Sequence, residues 1–235
     1  MKEQAQQFLH YLQHERGLSP RTIAAYRRDL DHLLADLSQR SILSAEALSE
    51  HEVRSVVARL HRQGQGARSL QRLLSAIRSF YRWLMKEGLV RSNPALSVRA
   101  PKHARKLPAT LDADAITRLL DFTTDNTLAK RDKAMMELFY SSGLRLSELA
   151  ALTWGQLDPG AGMLTVTGKG NKTRMVPFGR IAATALAEWR RVRLELTDFE
   201  EPAVFVSRGG KPLSTRGIQA RIRYWARRQG LPQNV

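Results

Sequence analysis

The chain has 235 residues and 43% hydrophobic content, and its 38 Lys and Arg against 22 Asp and Glu leave a formal charge of +16. That excess points to a polyanionic partner, nucleic acid first, and the length is enough for one large or two modest cores. Zero cysteines exclude disulfides and cysteine-ligated zinc. No apolar run approaches the ~18 residues of a membrane-spanning helix, and the polar start "MKEQAQQFLHYLQHERG" is not a signal peptide, so a cytoplasmic protein without membrane contact is expected.

The first 90 or so residues read as helices. "QFLHYLQHERG" ends at Gly17, and "SPRTIAAYRRDLDHLLADL" opens with Ser19 as cap and Pro20 at the first helical position. A third helix carries Val53, Val56, Val57 and Leu60. In the fourth, "RSLQRLLSAIRSFYRWLMKEG", residues Leu70, Leu73, Leu74, Ile77, Phe80, Tyr81 and Leu84 fall on one arc, and Arg68, Arg72, Arg78 and Arg82 with Ser75 and Ser79 fall on the opposite one. No acid interrupts that face. Forked guanidinium donors among small residues suit a phosphate backbone, so the face is read as DNA-binding; the alternative is an ordinary basic surface helix.

Residues 96–111, "LSVRAPKHARKLPATL", hold two prolines and five basic residues without an acid, which marks a linker between a domain at 1–95 and another at 112–235. The second domain begins helically with "DADAITRLLDFT" and "LAKRDKAMMELFY". Gly143 is the left-handed stop of that helix, and "SELAALTW" starts the next one. Arg145 stands at this turn in an apolar, small-residue run that reads as burying it. A guanidinium beside a helix start suits a phosphate; the alternative is simple pairing with Glu148, three residues on. "GMLTVTGKGNKTRMVPFG" reads as a β-hairpin with Lys169 near its tip, 24 residues after Arg145. The tip is not an ATPase phosphate loop, because Met163 and Gly170 stand where that loop needs Gly and Ser or Thr. A helix "IAATALAEWRRVRLEL", an apolar stretch "AVFVS" and a last helix opening near Ser214 follow. From Arg208 onward there are seven basic residues and no acid. All six histidines lie at or before His103, and no compact carboxylate motif for a metal is present, so neither a metal nor a cofactor is expected.

The segments "LSPRTIAAYRRDL", "LQRLLSAIRSFYRWL", "SNPA", "KRDKAMMELFYSSGLRLSELAALTWGQLD" and "GKGNKTRMVPFG", in this order and spacing, resemble the tyrosine site-specific recombinases of the lambda-integrase class over essentially the whole chain. The resemblance implies a mainly α fold: a four-helix SAM-like core-binding domain, and an α+β catalytic domain with a small antiparallel sheet that clamps DNA from the other side. It implies strand cutting and rejoining through a 3′-phosphotyrosyl intermediate without metal or ATP. Arg145 matches the family's first catalytic arginine and Lys169 its hairpin lysine, the proton donor to the departing 5′-oxygen. Implied partners are a double-stranded recombination site, a second related recombinase in a heterotetramer and a DNA translocase at the division septum, within the branch that resolves chromosome dimers. The family's His-x-x-Arg motif and tyrosine nucleophile find no match in "GLPQNV" or before it. Tyr140 and Tyr224 sit in the wrong motifs, so the chain reads as a recombinase fragment that binds DNA without cleaving it. The alternatives are a non-catalytic regulator or relic, or a phage- or integron-type integrase.

Overall fold

The computed structural model describes residues 1–101, 110–168 and 172–231. The chain divides into two compact units, Met1–Lys106 and Leu107–Val235.

The first unit is built from α1 (Lys2–His14), α2 (Pro20–Gln39), α3 (Glu50–Arg62) and α4 (Ala67–Lys86). α2 begins at Pro20, whose missing N–H is harmless at a first helical position, and the Ser19 hydroxyl accepts the Thr22 N–H at 3.3 Å. Ser49 caps α3 in the same way through the Glu52 N–H. The apolar arc of α4 is the keystone of this core. Leu70, Leu73, Leu74, Ile77, Phe80, Tyr81 and Leu84 are all buried, packed with Phe8 of α1, Leu33 and Leu37 of α2 and Val53 and Val56 of α3. Burial of each large apolar side chain stabilises the fold by about 1.5–3 kcal/mol relative to exposure. The Tyr81 hydroxyl satisfies itself by donating to the Ala45 carbonyl at 2.8 Å, and burial raises its pKa above the ordinary tyrosine range. Val98, within the segment read as linker, is buried in the same core, and residues 102–109 of that segment lie outside the described residues.

The second unit comprises α5 (Ala113–Leu120), α6 (Thr127–Ser142), α7 (Leu146–Ala150), strands β1 (Leu157–Asp158), β2 (Met163–Thr167) and β3 (Thr173–Pro177), then α8 (Arg180–Val192) and α9 (Thr215–Arg228). The strands form one antiparallel sheet in the order β1-β2-β3, with Leu164 opposite Val176 and Thr167 opposite Thr173. Leu164 and Val166 point into the core, as their alternation with threonines requires. The apolar stretch at 203–206 forms no strand of the sheet. Its Val204, Phe205 and Val206 are buried, and the Val204 carbonyl accepts the indole N–H of the fully buried Trp189 at 2.8 Å. A carboxylate ties α6 to α9: Asp132, fully buried, accepts from Arg131 (2.7 and 3.0 Å), Arg221 (2.6 Å) and the Trp225 indole (2.8 Å). Four donors on one carboxylate satisfy a charge that would otherwise be costly to bury. The fold is thus mainly helical with one small sheet. Among the described residues no helix is long and apolar enough to cross a membrane.

Candidate phosphate-binding site and basic faces

Helix α6 ends at Gly143 with φ 58°, a left-handed conformation open to glycine without steric cost, and the chain turns straight into α7. Arg145 occupies the cap position of α7 and Glu148 its third helical position. The Glu148 carboxylate reaches back to accept the Arg145 backbone N–H at 2.7 Å through Oε2, and Arg145 Nη1 donates to Oε1 at 3.0 Å. From β3, Arg174 adds a two-pronged contact: Nη1 to Oε1 and Nη2 to Oε2, both at 2.8 Å. These donors, the Arg174 fork foremost, hold the Glu148 pKa down at about 2 against an ordinary 4.5.

The burial expected of Arg145 is corrected by this geometry. Its side chain is 65% exposed, whereas that of Glu148 is 4% exposed. The buried polar place in the run belongs to the carboxylate, which four N–H donors from Arg145 and Arg174 saturate there. The pairing of Arg145 with Glu148 exists, yet it uses one edge of the guanidinium. Among the described residues Arg145 makes no other side-chain hydrogen bond. Two guanidiniums sharing one carboxylate leave a net charge of +1 at the surface, in a form suited to a tetrahedral or trigonal-bipyramidal phosphate.

The hairpin closes on this cluster. A Cβ added to Gly168 would lie 3.3 Å from an Arg174 nitrogen and from a Glu148 oxygen, and 3.4 Å from an Arg145 nitrogen. The backbone that follows β2 thus passes in close contact with all three side chains, and a larger residue there would require them to shift by a few tenths of an ångström. The Gly168 N–H donates to the Lys172 carbonyl at 2.8 Å across the base of the tip. Lys169 lies outside the described residues; Gly168, the residue before it, is against Arg145.

In the first unit the four arginines of α4 differ in their commitments. Arg68 and Arg82 are exposed, and Arg82 has only a 3.3 Å bond to the Arg78 carbonyl. Arg72 donates through Nε and Nη2 to both oxygens of the buried Asp29 at 2.8 and 3.0 Å, and this contact raises its pKa. Arg78 donates to the carbonyls of Ala95 and Val98 at 2.8 and 2.5 Å, holding the chain after α4 against the helix. The expected absence of an acid on this face is corrected: Asp29 of α2 meets it at Arg72, a partner 43 residues away that helical periodicity does not show. In α9, Arg216, Arg223 and Arg227 are exposed, while Arg221 is held by Asp132 and Arg228 donates to the Tyr224 hydroxyl. The pairing of Arg145 with Glu148 is legible in the sequence, whereas the burial of Glu148 and the fork that Arg174 adds to it are not. A Glu three residues after a helix cap is the sign for the pairing; no local pattern marks Arg174.

The fold and site define a mainly helical protein of two units that presents an arginine beside a β-hairpin. Comparisons with known proteins supply the family. The phage integrase family model matches residues 109–235, and the phage integrase N-terminal SAM-like domain matches residues 5–88. The chain is 48% identical over 236 residues to a tyrosine recombinase XerC of Pseudomonas fluorescens, covering 100% of this chain and 78% of that protein. It is 46% identical over 228 residues to a tyrosine recombinase XerC of Xylella fastidiosa strain 9a5c, covering 97% and 76%. Among solved structures, a lambda integrase dimer bound to a COC′ core site superposes with a TM-score of 0.73 at 18% identity, covering 99% of this chain and 82% of that one. A Tn1549 transposon integrase in complex with transposon right-end DNA gives 0.75 at 14% identity, covering 99% and 82%. The chain belongs to the phage integrase family, as a tyrosine recombinase.

Proposed function

We propose that the chain acts in site-specific recombination of the XerC kind, resolving chromosome dimers in the cytoplasm together with a second, XerD-like recombinase in a heterotetramer on duplex DNA, under a septal translocase. The observation that carries the chemical part is the exposed Arg145 guanidinium, backed by Glu148 and placed against the base of the hairpin that bears Lys169. The DNA-bound state of the lambda integrase dimer and the Holliday-junction tetramer of lambda integrase support the duplex partner and the fourfold assembly.

In this reading the nucleophile is the tyrosine that the family carries beyond its His-x-x-Arg motif. Its oxygen forms a bond to the scissile phosphorus while the bond from phosphorus to the 5′-oxygen breaks, leaving a 3′-phosphotyrosyl link. Arg145 balances the charge that builds on the phosphorane oxygens, and Lys169 delivers a proton to the departing 5′-oxygen. Arg68 and Arg82 contact backbone phosphates, Arg72 does so with the edge that Asp29 leaves free, and Arg78 contributes charge to that face while securing the chain after α4.

The test uses the chain joined to the C-terminal segment of the Pseudomonas fluorescens relative. Arg145→Ala leaves duplex binding within a few-fold and lowers cleavage by orders of magnitude, because its contribution is made in the transition state. Lys169→Ala also slows cleavage, and a substrate with a bridging sulfur at the 5′ position, which leaves without a proton, rescues it. Equal defects on both substrates would remove Lys169 from the proton-donor role.

A further inference from the structure

Arg174 of β3 lies on the same surface, paired with Glu148, and makes none of the phosphate contacts proposed above. We infer that Arg174 of β3 is a positioning residue for phosphoryl transfer, which it serves by neutralising Glu148 so that Arg145 keeps its full charge for the phosphate. The inference rests on the role proposed for Arg145.

The geometry makes the division of labour plain. Arg174 engages both Glu148 oxygens through both terminal nitrogens at 2.8 Å, whereas Arg145 gives one terminal nitrogen to one oxygen at 3.0 Å. The stronger, planar fork belongs to the residue that is less exposed, at 38% against 65% for Arg145. With Arg174 in place, two positive charges face one negative. Without it, Glu148 and Arg145 are a neutral pair at 3.0 Å, and the carboxylate competes directly with a phosphate for the same donors. The pairing also sets position. Glu148 holds the Arg145 backbone N–H at 2.7 Å, so a carboxylate fixed by Arg174 fixes the cap residue as well. Gly168 packs against Arg174, Glu148 and Arg145 together, so the hairpin strand that leads to Lys169 is registered on the same group. Lysine at 174 would keep the charge and lose the fork.

The experiment measures single-turnover cleavage of a nicked duplex by the chain joined to the C-terminal segment of its Pseudomonas fluorescens relative, with binding measured in parallel by gel shift. Arg174→Gln is expected to lower the cleavage rate roughly 10- to 100-fold, in line with loss of a charge-preorganising group, with binding changed by less than about threefold. Removing the competing carboxylate restores the charge balance, so Arg174→Gln/Glu148→Gln cleaves faster than Arg174→Gln. Arg174→Lys falls between wild type and Arg174→Gln. A residue that merely held the fold together would give the opposite order, the double variant being as slow as or slower than the single one. That order, or an Arg174→Gln enzyme within twofold of wild type, overturns the inference. Circular dichroism melts of each variant separate misfolding from lost chemistry, and Arg174→Lys supplies a charge-retaining variant if Arg174→Gln does not fold. Arg145→Ala is run beside them. If it cleaves like wild type, the phosphate role of Arg145 fails and the role of Arg174 fails with it; if it is slow while Arg174→Gln is not, only the present inference fails.

Discussion

At the scale of single residues, the site depends on one carboxylate whose charge is set by its neighbours. Glu148 has its pKa lowered from 4.5 to about 2 by the Arg174 fork and the two Arg145 donors. A carboxylate depressed in the folded state contributes stability that is present above its unfolded value and is lost as pH falls through its folded value. The window for this group is therefore from about 4.5 down to about 2. Glu148→Gln removes the titration, so urea midpoints of wild type and variant are expected to differ at pH 6 and to converge as pH approaches 2. A constant difference over the whole range would show that Glu148 does not titrate with folding. The sequence made the Arg145–Glu148 pair legible, since a Glu three residues after a cap is a local pattern. It did not show which of the two is buried. That is decided by Arg174, which arrives from another element and lets the carboxylate rather than the guanidinium take the interior place.

At the scale of elements, α4 shows what periodicity reveals and what it hides. Its apolar arc was readable residue by residue, and Leu70, Ile77, Phe80 and Leu84 are fully buried, because burial follows the 100° step of the helix itself. The hairpin of β2 and β3 was equally readable from alternation and its glycine-rich turn, whereas the two-residue β1 carries no alternation to read. The basic arc was readable as charge but not as function, because Asp29 and the carbonyls of Ala95 and Val98 are long-range partners. The arginines therefore separate by experiment. Arg68→Ala/Arg82→Ala is expected to leave thermal stability nearly unchanged and to reduce the slope of log affinity against log salt by roughly 0.9 for each lost phosphate contact. Arg72→Ala leaves the buried Asp29 without its partner, and its half-exposed guanidinium limits the cost to about 1–2 kcal/mol of stability. If the double variant binds duplex DNA with an unchanged slope, the exposed face of α4 is an ordinary surface.

At the scale of the whole molecule, the ordered set of motifs made the family readable, while the constellation of Arg131, Asp132, Arg221 and Trp225 that joins α6 to α9 was not, its members standing up to 94 residues apart. The same resemblance sets an expectation for residues 1–235 on their own. Electrostatic attraction needs only the basic faces and Arg145, so this polypeptide is expected to retard duplex DNA on a native gel in a salt-sensitive way. A covalent link needs a nucleophile, and preorganised charge cannot replace it. The second unit offers Tyr140 and Tyr224. Tyr140 stands on α6, five residues before Arg145, and the Tyr224 hydroxyl accepts from Arg228 at 2.9 Å with the Arg221 guanidinium 4.3 Å from the centre of its ring. By the resemblance to the family, neither is expected to be the nucleophile. Incubated with a nicked suicide substrate, residues 1–235 are expected to give the retarded complex and no protein–DNA band that survives denaturation. Joining the C-terminal segment of the Pseudomonas fluorescens relative is expected to restore that band. A denaturant-stable adduct formed by residues 1–235 alone, mapped by mass spectrometry to Tyr140, Tyr224 or another side chain, would place the nucleophile inside this chain and overturn its assignment to the C-terminal motif.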